Sequence, residues 1–219
     1  MKKKTYTHTS LTRGKKELTL YKFRLNKVRL EWCKQVVEII KKFKIKSLND
    51  LGCNYFQLYK EIKIQSLKYD YFGYDIDKKF VEIGLKKFPE LKRKYKICNI
   101  EKQNLRKVDC TVASAVLEHV DKPNKFLEKI LNSTKKIIII RSQFGANNYK
   151  TKTKLGALKP VNFNQFSFSD FSSKIEKKNY SCFYFLDKAT NYSLKFKRIN
   201  KQNNSYRRIY IMVAIKNGS

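Results

Sequence analysis

Glycine and proline are scarce in this chain, with 7 and 3 among 219 residues. So few breakers leave no room for a Pro- or Gly-rich linker, and no internal repeat is visible. Acidic residues are also few: Asp and Glu number 18 against 50 Lys and Arg, a formal net charge of +32. The five cysteines, Cys33, Cys53, Cys98, Cys110 and Cys182, form no CxxC pair. That spacing excludes a zinc ribbon and a disulfide framework, so no metal is expected and the thiols read as small buried hydrophobes. No apolar run approaches the roughly 20 residues of a membrane helix. Residues 1–8, Met-Lys-Lys-Lys-Thr-Tyr-Thr-His, are basic but lack the apolar stretch and cleavage site of a signal peptide, so a cytoplasmic location is expected.

What is present is a globular composition, 42% hydrophobic and 14% aromatic. The excess of positive charge invites a nucleic acid or an anionic membrane as partner. Compositional drift is the favoured reading: lysine far outnumbers arginine, Asn, Ile, Tyr and Phe are abundant, and the lysines are spread along the whole chain. Residues 1–17 read as a mobile basic arm, and His8 within it has no expected role. Residues 18–42 read as one helix, because Leu18, Tyr21, Leu25, Val28, Trp32, Val36 and Ile39 recur at spacings of three and four. That helix would cover the core, or act as a lid from which Tyr21, Arg24 and Arg29 face a substrate. Residues 1–45 are thus an arm and cover helix, and 46–219 a single domain.

Within that domain strands and helices alternate. Strands are expected at 46–51, 69–74, 95–98, 108–114 and 137–140. Helices are expected at 55–62, at 77–88 with Asp77 as its cap, and at 124–131 opened by Pro123. The isoleucine run 137–140 suits a parallel strand buried on both faces. Residues 142–168 read as a long polar and aromatic connection. A helix at 169–177 capped by Ser169, and strands at 181–186 and 209–215 around a solvated loop at 195–208, complete the pattern. The fold class is α/β: a Rossmann-like, doubly wound, mostly parallel seven-stranded sheet with an antiparallel C-terminal strand at its edge and helices on both faces.

The chemistry gathers at the strand ends. Asp50-Leu51-Gly52-Cys53-Asn54 turns a strand sharply into a helix, and Gly73-Tyr74-Asp75-Ile76-Asp77 ends the next strand in an acid. Two carboxylates one helix apart suit a nucleoside, one beside a positive group and one on a ribose. With Cys98-Asn99-Ile100-Glu101 and Ala113-Ser114-Ala115-Val116-Leu117-Glu118-His119-Val120 following in order, the chain from about 47 to 145 resembles the class I S-adenosylmethionine-dependent methyltransferases. The resemblance implies S-adenosylmethionine as cofactor. It places Asp50 near the methionine amino group, Gly52 where the backbone approaches the amino-acid end, and Asp75 on both ribose hydroxyls. Asn99 reads adenine, Ile76 and Ile100 sandwich it, and Ala113 and Ser114 lie by the methionine. Three positions depart from the pattern: Asn54 replaces a glycine but tolerates positive φ, Phe56 replaces another and would close the site or lower affinity, and Asn99 stands where an acid is usual, its carbonyl oxygen still able to accept from the adenine amine.

Methyl transfer from a sulfonium needs an aligned nucleophile and a site shielded from water. His119 is the candidate general base, with Glu118 beside it; the alternative is that the pair forms a structural turn. Arg141 and Gln143 after strand five, and Asn164 and Gln165 in the segment Asn162-Phe163-Asn164-Gln165-Phe166-Ser167-Phe168, are candidate substrate contacts. Aromatic faces and amides suit a planar or sugar-like ligand. There is no Asn/Asp-Pro-Pro-Tyr/Phe and no Pro-Cys after strand four, which argues against amino-methylation of adenine or glutamine and against carbon-five methylation of cytosine. The expected enzyme acts on an oxygen or nitrogen of a small-molecule or glycan-type acceptor. RNA, or a non-catalytic binding role on the same fold, is the alternative.

Overall fold

The computed structural model describes residues 15–153, 160–191, 198–200, 205–206 and 208–218. His8 and most of the basic arm therefore lie outside the described residues. The first two helices are α1 (Lys15–Lys27) and α2 (Glu31–Lys41). The expected single helix is broken at 28–30, and the cause is tertiary. Arg29 leaves the helical path to hold the buried Glu61 through two bonds, 2.5 and 3.1 Å long. Lys60 Nζ donates to Val28 O at 2.9 Å and Lys87 Nζ to Leu25 O at 3.0 Å, so the carbonyls freed at the end of α1 are satisfied. Arg29 is thereby spent on the scaffold and does not face the cavity described below.

Then follow β1 (Ser47–Leu51), α3 (Gln57–Ile64), β2 (Asp70–Asp75), α4 (Lys78–Lys87), β3 (Tyr95–Ile97), β4 (Val108–Ser114), α5 (Pro123–Ser133) and β5 (Thr134–Gly145). Asp77 caps α4 as expected, accepting from the N–H groups of Lys79 and Phe80. The region read as a long connection is instead ordered into β6 (Tyr149–Thr153) and β7 (Val161–Ser167), which pair antiparallel, while β7 runs parallel to the end of β5. β5 has 12 residues, three times the length of its isoleucine run, and Ser142 to Phe144 stay buried in the sheet. The chain ends with α6 (Phe168–Glu176), β8 (Tyr180–Leu186), α7 (Lys188–Asn191), the short pair β9 (Arg198–Asn200) and β10 (Ser205–Tyr206), and β11 (Ile209–Lys216). Ser167, not Ser169, caps α6, its hydroxyl accepting from Asp170 N.

The main sheet follows the order β3-β2-β1-β4-β5-β11-β8, with β6 and β7 joined beside β5 to make nine strands rather than seven. The contacts from β3 to β5 are parallel. β11 is antiparallel to both β5 and β8, so the antiparallel strand is inserted one place in from the edge, and β8 is the edge. One face of the sheet packs on α1 to α4 through Leu25, Val36, Ile40, Leu58 and Phe80. The other packs on α5 and α6 through Phe126, Ile130, Phe171 and Ile175. Strand order reverses between β1 and β4, and a crevice opens at the carboxyl ends of those strands, where such sheets take their ligands.

Candidate functional site

A cavity of about 370 Å³ lies at that reversal. Period-two alternation decides which strand-end residues reach it. Asp50, Asp75, Ser114 and Arg141 share the face toward α1 and α2 and line the cavity. Ala113, one residue from Ser114, points to the opposite face among Phe126 and Ile140 and does not. Gly52, Asn54, Ile76, Asn99, Ile100 and His119 complete the set of expected residues that the fold brings together.

Asp50 is buried, and its Oδ2 accepts from the Tyr71 hydroxyl at 2.6 Å. Burial pushes its carboxyl up to about 7; the Tyr71 bond pulls downward and the nearby Asp75 charge pushes further up. Asp75 is buried too. Its two oxygens accept from the backbone N–H groups of Asp77 and Asn54, both at 2.8 Å. Burial raises it to about 6 against those hydrogen bonds. Two desolvated carboxyls facing one space, with no cation paired to either among the described residues, form a site that favours a positive group. Asn54 Oδ1 and Gln57 Nε2, also in the cavity wall, are buried without partners. A ligand bearing an ammonium, hydroxyls and a carboxylate would satisfy what the protein leaves open.

Gly52 sits at φ +75°, and a Cβ there would lie 2.2 Å from Val116 Cγ2. The glycine is therefore required by the protein's own packing as well as by the turn. Asn54 does adopt positive φ, 51°. Phe56 also adopts the left-handed region, at φ 59° and ψ 43°, which is unusual for a bulky residue. It does not plug the cavity. Its ring is fully buried under the sheet, where Gly73 and Gly84 leave space for it: a Cβ on Gly84 would lie 2.6 Å from its Cδ2. Asn99 Oδ1 accepts from Glu101 N at 2.9 Å, so the expected adenine-reading oxygen is half engaged in its own turn.

Glu118 and His119 share a single 3-10 turn, Leu117–His119, whose successive side chains point about a third of a turn apart. Only His119 reaches the cavity. Glu118 is buried away from the cavity and accepts from Ser142 Oγ at 2.8 Å, tying the turn to β5 rather than facing the space expected of a catalytic group. The Nδ1 of His119 lies 2.8 Å from the carbonyl oxygen of Asn162. A carbonyl only accepts, so Nδ1 carries the proton, and of the two neutral tautomers this contact selects the one with its lone pair on Nε2. Asn162 Nδ2 donates to Asp121 Oδ1 and Asn164 Nδ2 to Val120 O, so β7 clamps the segment after the turn.

Three expected substrate residues stand behind the wall. Gln143 is buried with neither amide atom partnered, Asn164 holds Val120, and Gln165 donates to Asn147 O; none lines the cavity. Arg141 does line it, held by a buried ion pair with Asp187 at 2.8 Å and lying 5.5 Å from the Trp32 ring centre. Trp32, Tyr71, Gln57 and Asp187 carry no motif, and only tertiary approach brings them to the site. From α1, Tyr21 and Arg24 reach the cavity while Tyr21 packs on Tyr55 and Phe80. That helix thus covers the core and also borders the cavity. Among the described residues no cluster of three or more His, Cys, Asp or Glu could hold a metal, and no helix is long and apolar enough to cross a membrane.

Residues 49–137 match the family model described as a methyltransferase domain. No curated protein sequence matches the chain. Among solved structures, an S-adenosylmethionine-dependent methyltransferase from Clostridium acetobutylicum is similar at a TM-score of 0.63 and 12% identity, covering 92% of this chain and 99% of that one. Magnesium protoporphyrin IX methyltransferase from Synechocystis with bound S-adenosylhomocysteine gives 0.59 and 14%, covering 85% and 81%. The small RNA methyltransferase HEN1 gives 0.56 and 16%, covering 85% of this chain and 25% of that one.

Proposed function

We propose that this chain, whose residues 49–137 match a methyltransferase domain model, is a class I S-adenosylmethionine-dependent methyltransferase that methylates an oxygen or nitrogen of a small-molecule or glycan-type acceptor. One observation carries the reading: the Asp50 and Asp75 carboxyls open into a single cavity beside the unpartnered Asn54 Oδ1 and Gln57 Nε2. The cofactor supplies an activated methyl group on a sulfonium. Asp50 receives the methionine ammonium, the cation its buried carboxyl lacks. Asp75 accepts from the ribose hydroxyls with the lone pairs that its two backbone donors leave free. Ile76 and Ile100 flank the adenine, Asn99 stands at its edge, and Gly52 and Ser114 border the amino-acid end.

The acceptor enters on the side of Tyr21, Trp32 and Arg141, with His119 at its hydroxyl or amine. Nδ1 is fixed as a donor to Asn162, so Nε2 is the atom that takes the acceptor's proton as the methyl arrives. The residues of α1 and the β7 clamp keep water away and hold the ring in place. An RNA acceptor is the second reading, favoured by the net charge of +32 and by the likeness to HEN1. The test is a methyl-transfer assay over a panel of hydroxyl, amine and RNA acceptors, with calorimetry of the demethylated cofactor in parallel. His119→Gln is expected to lower kcat about 100-fold or more while leaving cofactor affinity within about twofold. An unchanged kcat removes the base role; failure of the wild-type chain to bind either form of the cofactor removes the whole reading.

A further inference from the structure

We propose that the end of the sheet opposite the cavity is a docking surface for the phosphate backbone of a nucleic acid, held without reading its sequence. This inference is independent of the cofactor and of the acceptor. β1 and β4 set five to seven residues, about 17–23 Å, between this surface and the cavity. Seven segments meet there: 42–46, 65–70, 88–96, 104–109, 134–136, 176–179 and 216–218. Lysines scattered along the chain converge on this end because parallel strands need crossovers, and every crossover returns the chain to it. Hydrogen bonds tie the segments side by side. Asp70 N donates to Lys46 O at 2.8 Å, and Lys46 N donates to Asp109 Oδ2 at 2.7 Å. Lys136 Nζ donates to Lys44 O at 3.0 Å, the Tyr180 hydroxyl to Thr134 O at 2.8 Å, and Lys216 Nζ to Lys178 O at 2.6 Å.

The charge here exceeds what composition supplies. The seven segments hold 15 Lys and Arg among 36 residues, against 50 among 219 in the whole chain, and four acids, Asp70, Glu90, Asp109 and Glu176. Three of those acids are engaged: Asp70 with Arg106 at 3.0 Å, Glu90 with Lys63 at 2.6 Å, and Asp109 with the Lys46 N–H. Lys44, Lys46, Lys68, Lys94, Lys107 and Lys135 are exposed, and no carboxylate among the described residues pairs with them. Helix dipoles draw a cation to the last turn of a helix, but these six stand beyond it. Shape and charge together select the occupant. From β3 to β8 the row crosses six strand spacings, about 29 Å. A chain of phosphates matches a row of cations of that length and gains by releasing its counterions. None of the large hydrophobics that stand out on the surface lies in these segments, so nothing here is built to enter a bilayer. The segments hold no exposed aromatic ring on which a base could stack, so the contact is with the backbone.

Fluorescence anisotropy of the full chain with a labelled RNA strand of mixed sequence, over a salt series, tests this. Lys46→Gln, Lys94→Gln, Lys107→Gln and Lys135→Gln combined should weaken binding about tenfold or more at roughly 0.1 M salt and reduce the steepness of log K against log salt by about 2–3. A matched set of exposed lysines at the cavity end, Lys79→Gln, Lys102→Gln, Lys125→Gln and Lys188→Gln, removes the same charge and should cost less than about threefold. Both sets should keep the far-ultraviolet circular dichroism of the wild type. Lysine acetylation of the wild-type chain, read by mass spectrometry, does not depend on any variant folding. Bound RNA should protect Lys44, Lys46, Lys94 and Lys135 and leave Lys79 and Lys125 reactive. A wild-type chain that binds no RNA, equal losses from the two sets, protection at the cavity end alone, or binding to phosphatidylserine vesicles in place of RNA overturns the proposal.

Discussion

At the residue scale the site is governed by two carboxyls that burial holds above their ordinary value of 3.8, Asp50 at about 7 and Asp75 at about 6. Their folded values are raised, so the native state binds more protons than the unfolded chain across that interval. The stability this contributes is fully present below about pH 4 and is lost as pH rises through about 7. The ligand-free protein should therefore show a melting temperature that falls between about pH 5 and pH 8, and Asp50→Asn should flatten the upper part of that fall. The opposite slope on addition of the demethylated cofactor, with proton release near pH 6.5 in calorimetry with two buffers, is the expected mark of an ammonium seated against Asp50. Asp50, Asp75, Asn99 and His119 were legible in the sequence because each closes a strand or opens a turn. Ala113 was misplaced by one position, which in a strand means the opposite face. Tyr71, whose hydroxyl donates to Asp50, sits near the start of the neighbouring strand β2, where no local pattern marks it.

At the scale of elements, the departure at Phe56 is answered elsewhere in the fold. The loop has a phenylalanine where a glycine is expected, and glycines stand instead at 73 on β2 and 84 on α4, directly against its ring. Phe56→Gly should relieve about 1 kcal/mol of left-handed backbone strain but empty a packed site, for a net loss of about 2–4 kcal/mol in urea unfolding. Gly84→Ala should cost about 1–3 kcal/mol alone and markedly less beside a smaller residue at 56. The parallel strands and their helices were readable from periodicity alone. β6 and β7 were not, because Asn162 and Asn164 are buried amides facing the His119 segment and break the apolar alternation a strand is recognised by. The break between α1 and α2 was hidden for a similar reason: its partners, Glu61, Lys60 and Lys87, lie on helices far along the chain.

At the scale of the whole molecule, the positive charge reaches both edges of the sheet, with exposed Lys92, Lys94 and Lys96 at β3 and exposed Lys177, Lys178 and Lys188 beside β8. Binding of an arbitrary RNA should weaken by about tenfold or more between roughly 0.05 and 0.2 M salt, while affinity for the demethylated cofactor changes by less than about threefold, as filter binding and calorimetry would show. An RNA that kept its affinity at high salt and also gained a methyl group would favour the second acceptor class. The order of strands, the crevice and its two acids all follow from alternation of elements, and that is why the fold was legible where the acceptor was not. The exchange of bulk among positions 56, 73 and 84 has a consequence for anyone recombining this domain with its relatives. A glycine-bearing loop grafted here would import a void, and this loop grafted onto a scaffold with side chains at the other two sites would have nowhere to put its ring, so the three positions must travel together as one cassette.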